Sequence, residues 1–296
     1  MLSKSGMFGK LFRFEMKGLN RFGLIILIFL AVDTLLGCLS FLSPIWETVS
    51  TDQYEPNAWL NTLTAVSSIG LIGLYVFGMM AISIALVVYF AIRFYRSMYS
   101  SGGYLTHTLP VNSHQILSSK LLSATIWHII LTVAMLVSAL LFTECLASTI
   151  AASLGQPNPR ILTFLFQHWG EISAMVQEYT GVTLLGYVLF FVFFAIVMAV
   201  CSVMMIYTAI TLGQLSAKHK ILMSILSYLG IMVINYILGI MTSFRINVMS
   251  ARIYSTGQIE IDLITPLLIN CLLTVAFSIG CYFLCSLIVK RKLNLE

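Results

Sequence analysis

Charge is scarce in this sequence. Lysine, arginine, aspartate and glutamate together make up 9% of its 296 residues, against about 25% in a soluble domain. With 59% hydrophobic residues and a mean hydropathy of +0.97, that shortage excludes a water-covered globular surface. The parts for nucleotide hydrolysis are missing as well. A phosphate-cradling loop needs GxxxxGK[ST] between a strand and a helix, and the nearest string, Gly6 to Leu11, has the wrong spacing and no hydroxyl for magnesium. There is no HExxH, and the 5 histidines are scattered, so a zinc protease has no ligands. His107 and His114 share a polar loop without a cysteine or carboxylate beside them, which suits loop polar contacts. The 6 cysteines (Cys38, Cys145, Cys201, Cys271, Cys281 and Cys285) lie in or at the edge of apolar runs. They read as small buried hydrophobes, not as a disulfide framework or a metal site. No resident cofactor or metal is expected in this chain, nor any covalent chemistry.

What the sequence has is length of apolar run. Six runs reach the roughly 20 residues that cross a bilayer core: Phe22–Leu42, Leu63–Ile92, Leu121–Phe142, Val182–Leu212, Ile221–Ser243 and Ile264–Val289. They are continuous and do not alternate, which excludes a β-barrel. The expectation is an all-α polytopic membrane protein with six transmembrane helices, one domain over residues 1–296, in a multi-pass arrangement. The first run is too long for a signal-peptide h-region, and no small-residue cleavage site ends it. Span two, at about 45 Å for about 30 residues, exceeds the core and should project from it.

Cation placement predicts the orientation. With both termini inside, 13 of the 16 lysines and arginines fall on the cytoplasmic side, leaving Arg160, Arg245 and Arg252 outside, as the positive-inside bias requires. Glu47, Asp52, Glu55, Glu144, Glu171, Glu178, Glu260 and Asp262 sort to the outside. The net +5 then reflects insertion and contact with anionic lipid, with no nucleic-acid partner.

Before the first span, residues 7–21 place Phe8, Leu11, Phe12, Glu15 and Leu19 at helical spacing among Lys10, Arg13, Lys17 and Arg21. This predicts an amphipathic helix in the inner headgroup layer, turning sharply at Asn20–Gly23 into span one. The outer segment 144–180 is broken by Gly155, Pro157 and Pro159; beyond them Ile161, Leu165, Trp169, Ile172 and Val176 form an apolar stripe, predicting an outer helix. The segment Phe244–Asp262 reads as a short polar outer connection. Asp33 is the one carboxylate inside an apolar run. A central Asp costs at least about 2.5 kcal/mol and faces protein or water. It reads either as a polar point on a substrate path or subunit interface, or as a carboxyl satisfied by Thr34 or by Asn235 of span five.

The most ordered polar stretch is residues 93–120, RFYRSMYSSGGYLTHTLPVNSHQILSSK. Arg93–Tyr99 continues span two as a basic helical end, and Gly102-Gly103 breaks it. Tyr104–Leu109 is about one turn, stopped by Pro110. Asn112 with Gln115 matches a capping box opening the next helix. A plain helix–helix connection takes about 2–8 residues, so this one reads as a docking element.

These residues carry a family resemblance. The amphipathic N-terminal helix, six spans and the string GYLTHTLPVNSHQILSSKLL resemble the permease subunits of ABC-2 type transporters, especially those of Gram-positive bacteria with a GYLTxTLPV-like loop. The architecture covers the whole chain, and the loop string is the specific part. The resemblance implies that Tyr104, Leu105, Thr106, His107, Thr108, Leu109 and Pro110 form a coupling helix docking into a separate ATPase subunit, which binds ATP and Mg. It implies that Phe12 and Glu15 sit on the connecting helix, and that Asp33 and Asn235 lie near the translocation path. It also implies two permease copies, a homodimer in preference to a heterodimer, exporting an amphipathic or hydrophobic peptide, lipid or drug across the bacterial cell membrane. One departure is the polar Phe244–Asp262, where family members commonly carry an apolar re-entrant hairpin. Two alternatives are an ATP-independent secondary transporter or channel, for which neither intramembrane charge pairs nor inverted repeats are found, and a membrane immunity or sensor protein binding an antimicrobial peptide.

Overall fold

A computed structural model describes the backbone of residues 4–42, 58–100, 113–153, 161–180, 182–216, 218–256 and 264–291. Among them there is no strand. The elements are α1 (Lys4–Leu39) with a 3-10 turn at Ser40–Leu42, α2 (Ala58–Met98), α3 (Ser113–Ser153), α4 (Ile161–Gln167), α5 (Trp169–Thr180), α6 (Leu184–Gly213), α7 (Lys220–Thr256) and α8 (Ile264–Arg291). Six of them, α1, α2, α3, α6, α7 and α8, are long and apolar enough to cross a membrane. The chain is an all-α, six-helix membrane-spanning protein. At 1.5 Å per residue, the 41 residues of α2 and of α3 give about 60 Å, twice the roughly 30 Å of a hydrocarbon core.

Three expectations change. The N-terminal segment and span one form a single helix that does not end at Asn20–Gly23. Gly23 is buried there and opens a stripe with Ile26, Leu30, Thr34 and Gly37, whose spacing of three or four residues holds only if the helix runs on. Phe244–Asp262 is helical as far as Thr256, because α7 continues through it. The outer helix is two helices meeting at His168, joined by the His168 N–H to Phe164 O and Ile172 N–H to His168 O bonds of 3.0 and 2.9 Å. The polar breakers themselves, residues 154–160, lie outside the described residues.

The chain packs as two compact units, residues 1–19, 87–129 and 173–296 in one, and residues 20–86 and 130–172 in the other. In the first, α6 packs against α7 and α8. Cys201, Met205 and Ala209 of α6 meet Ile231 of α7, with Tyr228 and Val275 alongside. Two hydroxyls in this region return to backbone: Thr208 donates to Met204 O at 2.9 Å and Thr211 to Tyr207 O at 2.8 Å, so these two are satisfied without water.

In the second unit α1 turns a mixed face of apolar, small and polar residues inward and a row of large apolar side chains outward. Ile26, Leu30, Asp33, Thr34 and Gly37 of α1 are buried, while Leu24, Ile25, Ile28, Phe29, Val32 and Leu35 are exposed. Lipid gives no hydrophobic force between helices, so close backbone approach and hydrogen bonds do the joining. Gly37 illustrates the approach, since a Cβ there would lie 2.9 Å from the Tyr75 ring. That ring stacks on Phe142 with centroids 4.3 Å apart, and its hydroxyl lies 3.2 Å from Ser138 Oγ. Farther along, Glu144 accepts from Ile161 N–H at 3.0 Å and Leu162 N–H at 2.6 Å, so a carboxylate from α3 satisfies two orphan donors opening α4.

The glycines separate tight from loose packing. At Gly213 an added Cβ would lie 2.6 Å from Ser224 Cα, whereas nothing lies within 4 Å at Gly230. Gly213→Ala should therefore destabilise the protein by roughly 1–3 kcal/mol through overpacking. Gly230→Ala, in a helix interior, should be neutral or stabilise by up to about 1 kcal/mol. Thermal unfolding in detergent compares the two; equal midpoints would show that α6 and α7 are not packed this closely.

Candidate functional site

The stripe Leu11, Phe12, Glu15, Leu19 puts one carboxylate among apolar side chains on the inward side of α1. Glu15 is 5% exposed, and Phe12 half-buried. Such a carboxylate is costly unless it is paired, and two helices of the same unit supply partners. Arg93 of α2 donates from Nη2 to Glu15 Oε2 at 2.9 Å and to the Glu15 carbonyl at 2.8 Å. Lys120 of α3, 3% exposed, donates from Nζ to Glu15 Oε1. Each carboxylate oxygen takes one cation, so a single side chain holds α1 to both α2 and α3.

The surroundings fit this pairing. One turn along α1, the Arg93 guanidinium lies so close over Gly18 that no Cβ fits between them, and Tyr89 donates to Gly18 O at 3.2 Å. Phe94 stacks on Tyr207 of α6 with centroids 4.0 Å apart, and the Tyr207 hydroxyl donates to Lys120 O at 3.3 Å. A cavity of about 10 Å³ remains beside Glu15, Phe90, Arg93, Lys120 and Tyr207. That volume is at the threshold for one water molecule, so no organic ligand fits in it, and what the cluster visibly does is join three helices.

The joint lies near both roots of the segment 101–112. Tyr99, just past α2, donates to Thr211 Oγ1 at 3.1 Å. Burial holds its phenol above the usual range, which keeps the proton this bond uses. Thr211 Oγ1 in turn lies 3.2 Å from Cys285 Sγ on α8. On the other root, His114 near the start of α3 stacks on Tyr282 of α8, with Nδ1 3.3 Å from its hydroxyl. Two adjacent turns of α3 bury Ile116, Leu117, Lys120 and Ser123.

The other expected site residues fall elsewhere. Tyr104, Leu105, Thr106, His107, Thr108, Leu109 and Pro110 lie outside the described residues, as does Asn112; the described part of α3 begins at Ser113. Asp33 is 4% exposed in the second unit, and its Oδ2 is buried without a hydrogen-bond partner. Its carboxyl packs directly on Gly78, where a Cβ would collide with it. Thr34 does not serve it, because the Thr34 hydroxyl bonds to Leu30 O at 2.7 Å and to Ser138 Oγ at 2.6 Å. Asn235 is half-buried on α7 and belongs to the first unit. The Glu15–Arg93–Lys120 partnership went unread in the sequence, although its signal was present: Glu15 is the only acid before Asp33 and sits on the apolar stripe.

Sharing one anion between two cations makes the three positions unequal. Glu15→Gln would leave Arg93 and Lys120 facing each other uncompensated, and breaking a buried pair this way costs roughly 3–5 kcal/mol. Lys120→Met would leave a balanced Glu15–Arg93 pair and should cost clearly less. Thermal midpoints of the two variants in detergent give the order; a Lys120→Met variant less stable than Glu15→Gln would refute the shared-carboxylate joint.

Compared with protein-family models, with curated proteins and with solved structures, the chain matches none.

Proposed function

We propose that this six-helix protein is the membrane half of an ATP-driven exporter of the ABC-2 type, acting as a pair of identical copies with a separate ATPase subunit. ATP and Mg are bound on that partner, and the chain described here does no covalent chemistry. Its task is to receive a movement at Tyr104–Pro110 and pass it to the membrane helices. Its place is the bacterial cell membrane, with the basic ends of the helices inside.

One observation carries the reading: both roots of the segment that bears GYLTHTLPV are tied to other helices. Tyr99 is bonded to α6, and His114 contacts α8. Arg93 and Lys120 are bonded to α1 through Glu15. A push on the intervening residues is therefore delivered to α1, α6 and α8 as well as to α2 and α3. In this role Glu15 is a positioning residue within the membrane subunit, beyond the place on the connecting helix that the resemblance gives it, and Phe12 lies on the same face.

The substrate class, an amphipathic or hydrophobic peptide, lipid or drug, follows from the resemblance. Asp33 is assigned to the path through the resemblance, and its buried Oδ2 without a hydrogen-bond partner is compatible with a polar contact there. Asn235 is assigned to the same path through the resemblance alone.

The test is affinity purification of the tagged full chain from native membranes in mild detergent. A P-loop ATPase should co-purify with the wild type and be lost with Leu105→Asp or Leu109→Asp. The exposed-site control Glu171→Gln should retain it. In proteoliposomes the co-purified complex should hydrolyse ATP, and the two loop variants should fall to background. A wild-type protein that moves its substrate with no ATP-binding subunit present would sink the proposal.

A further inference from the structure

Two cysteines of the second unit face each other from different helices. Thr34, Cys38 and Phe41 are spaced four and three residues apart and so share one face at the end of α1. Ser138, Phe142 and Cys145 share a face of α3 in the same way. These faces meet. The Thr34 and Ser138 hydroxyls lie 2.6 Å apart, Phe41 and Phe142 pack edge to face with centroids 5.2 Å apart, and Cys38 and Cys145 are near enough to influence each other electrostatically. Both thiols are free and half-buried, whereas Cys201, Cys271, Cys281 and Cys285 are free and buried. Accessibility and proximity thus coincide at this pair.

We infer that Cys38 and Cys145 close a reversible disulfide that staples α1 to α3. Two cysteines on helix faces that meet on either side of them are placed for the side-chain rotation and helix adjustment that bring sulfurs to the roughly 2 Å of a disulfide. The oxidant is a disulfide-bearing molecule. One protein thiolate attacks its S–S bond, giving a mixed disulfide and releasing one thiol. The second protein thiolate then attacks the mixed disulfide, forming the Cys38–Cys145 bond and releasing the other thiol. Two protein thiols are oxidised, one external disulfide is reduced to two thiols, and the protons pass from the former to the latter. The orientation expected from the charge bias puts this end of both helices on the outer face, where disulfides persist.

The neighbouring contacts give the staple a consequence. The contacts seen here between the end of α1 and α3 include the Thr34–Ser138 hydroxyl pair and the Phe41–Phe142 ring pair. These contacts allow sliding and tilting. A covalent bond at Cys38–Cys145 removes that freedom, so oxidation would withdraw the two helices from any rearrangement that moves one along the other.

The experiment uses the full chain, purified in detergent, reduced, desalted and then exposed to oxidised glutathione. After denaturation, labelling with a polyethylene-glycol maleimide should show reactive thiols falling from six to four, and dithiothreitol should restore six. Mass spectrometry of unreduced wild-type peptides should show the Cys38 and Cys145 peptides joined. Cys201→Ser should form the same link, and Cys38→Ser and Cys145→Ser should form none. The oxidised wild type should unfold at a higher temperature than the reduced. Six reactive thiols surviving oxidation, a link between other cysteines, or a Cys38 link found only in covalent dimers would each overturn the inference.

Discussion

A carboxylate set among apolar side chains has to be neutralised where it sits, and Glu15 is neutralised twice. Its two oxygens are divided between Arg93 and Lys120, and that division binds the ends of three helices through four atoms. Desolvating such groups costs nearly what their attraction returns, so the cluster adds little net stability. What it adds is register. Sliding α1 by one turn against α2 or α3 would carry Glu15 about 5.4 Å from its partners and leave charges buried and unpaired. Apolar helices in lipid have few other means of fixing a register, because one oily face packs on another almost equally well at several settings.

The second unit reaches definition differently. Its contacts rest on absence of bulk: Gly37 under Tyr75, Gly78 under Asp33, and hydroxyls of Thr34, Tyr75 and Ser138 linked over 2.6 and 3.2 Å. Hydrogen bonds between neutral groups in a membrane are worth about 0.6 kcal/mol on average. A charged joint and a hydroxyl ladder are thus different devices: one resists displacement sharply, and the other yields at low cost. A thiol pair that can become covalent suits the yielding device, since it adds a constraint where the native contacts impose little.

The fold class was legible because apolar runs of 20 residues or more have few uses outside a bilayer. All six runs lie within or almost within the long helices. Boundaries were less legible. The polar Phe244–Thr256 is helical, although hydropathy stops near Ser243, because hydropathy reports where lipid ends and not where hydrogen bonding ends. Asn20–Gly23 looked like a turn from composition, yet buried Gly23 lies on the inward face of a continuous helix. The joint was half legible: the stripe through Glu15 was visible, but Arg93 and Lys120 lie 78 and 105 residues away, and no local spacing rule reaches so far. Thr34 was the natural local partner for Asp33, and its hydroxyl proved to be committed to Leu30 and Ser138.

The stiffness of the loop's roots decides where a force applied between them can go. On the α2 side, Phe90, Phe94 and Met98 repeat every four residues and are all but inaccessible, the last at 0%. Unseating this end would therefore break close side-chain packing, the main force between helices in lipid, before the Arg93 pair is touched. On the α3 side, Ile116, Leu117 and Ala124 are equally enclosed around Lys120. Neither root can absorb a displacement by fraying, because fraying would expose these side chains and strip the partners from Glu15. A load on the segment between them must then either deform that segment or move the helices bonded to its roots, and the short polar segment ends at rigid anchors on both sides.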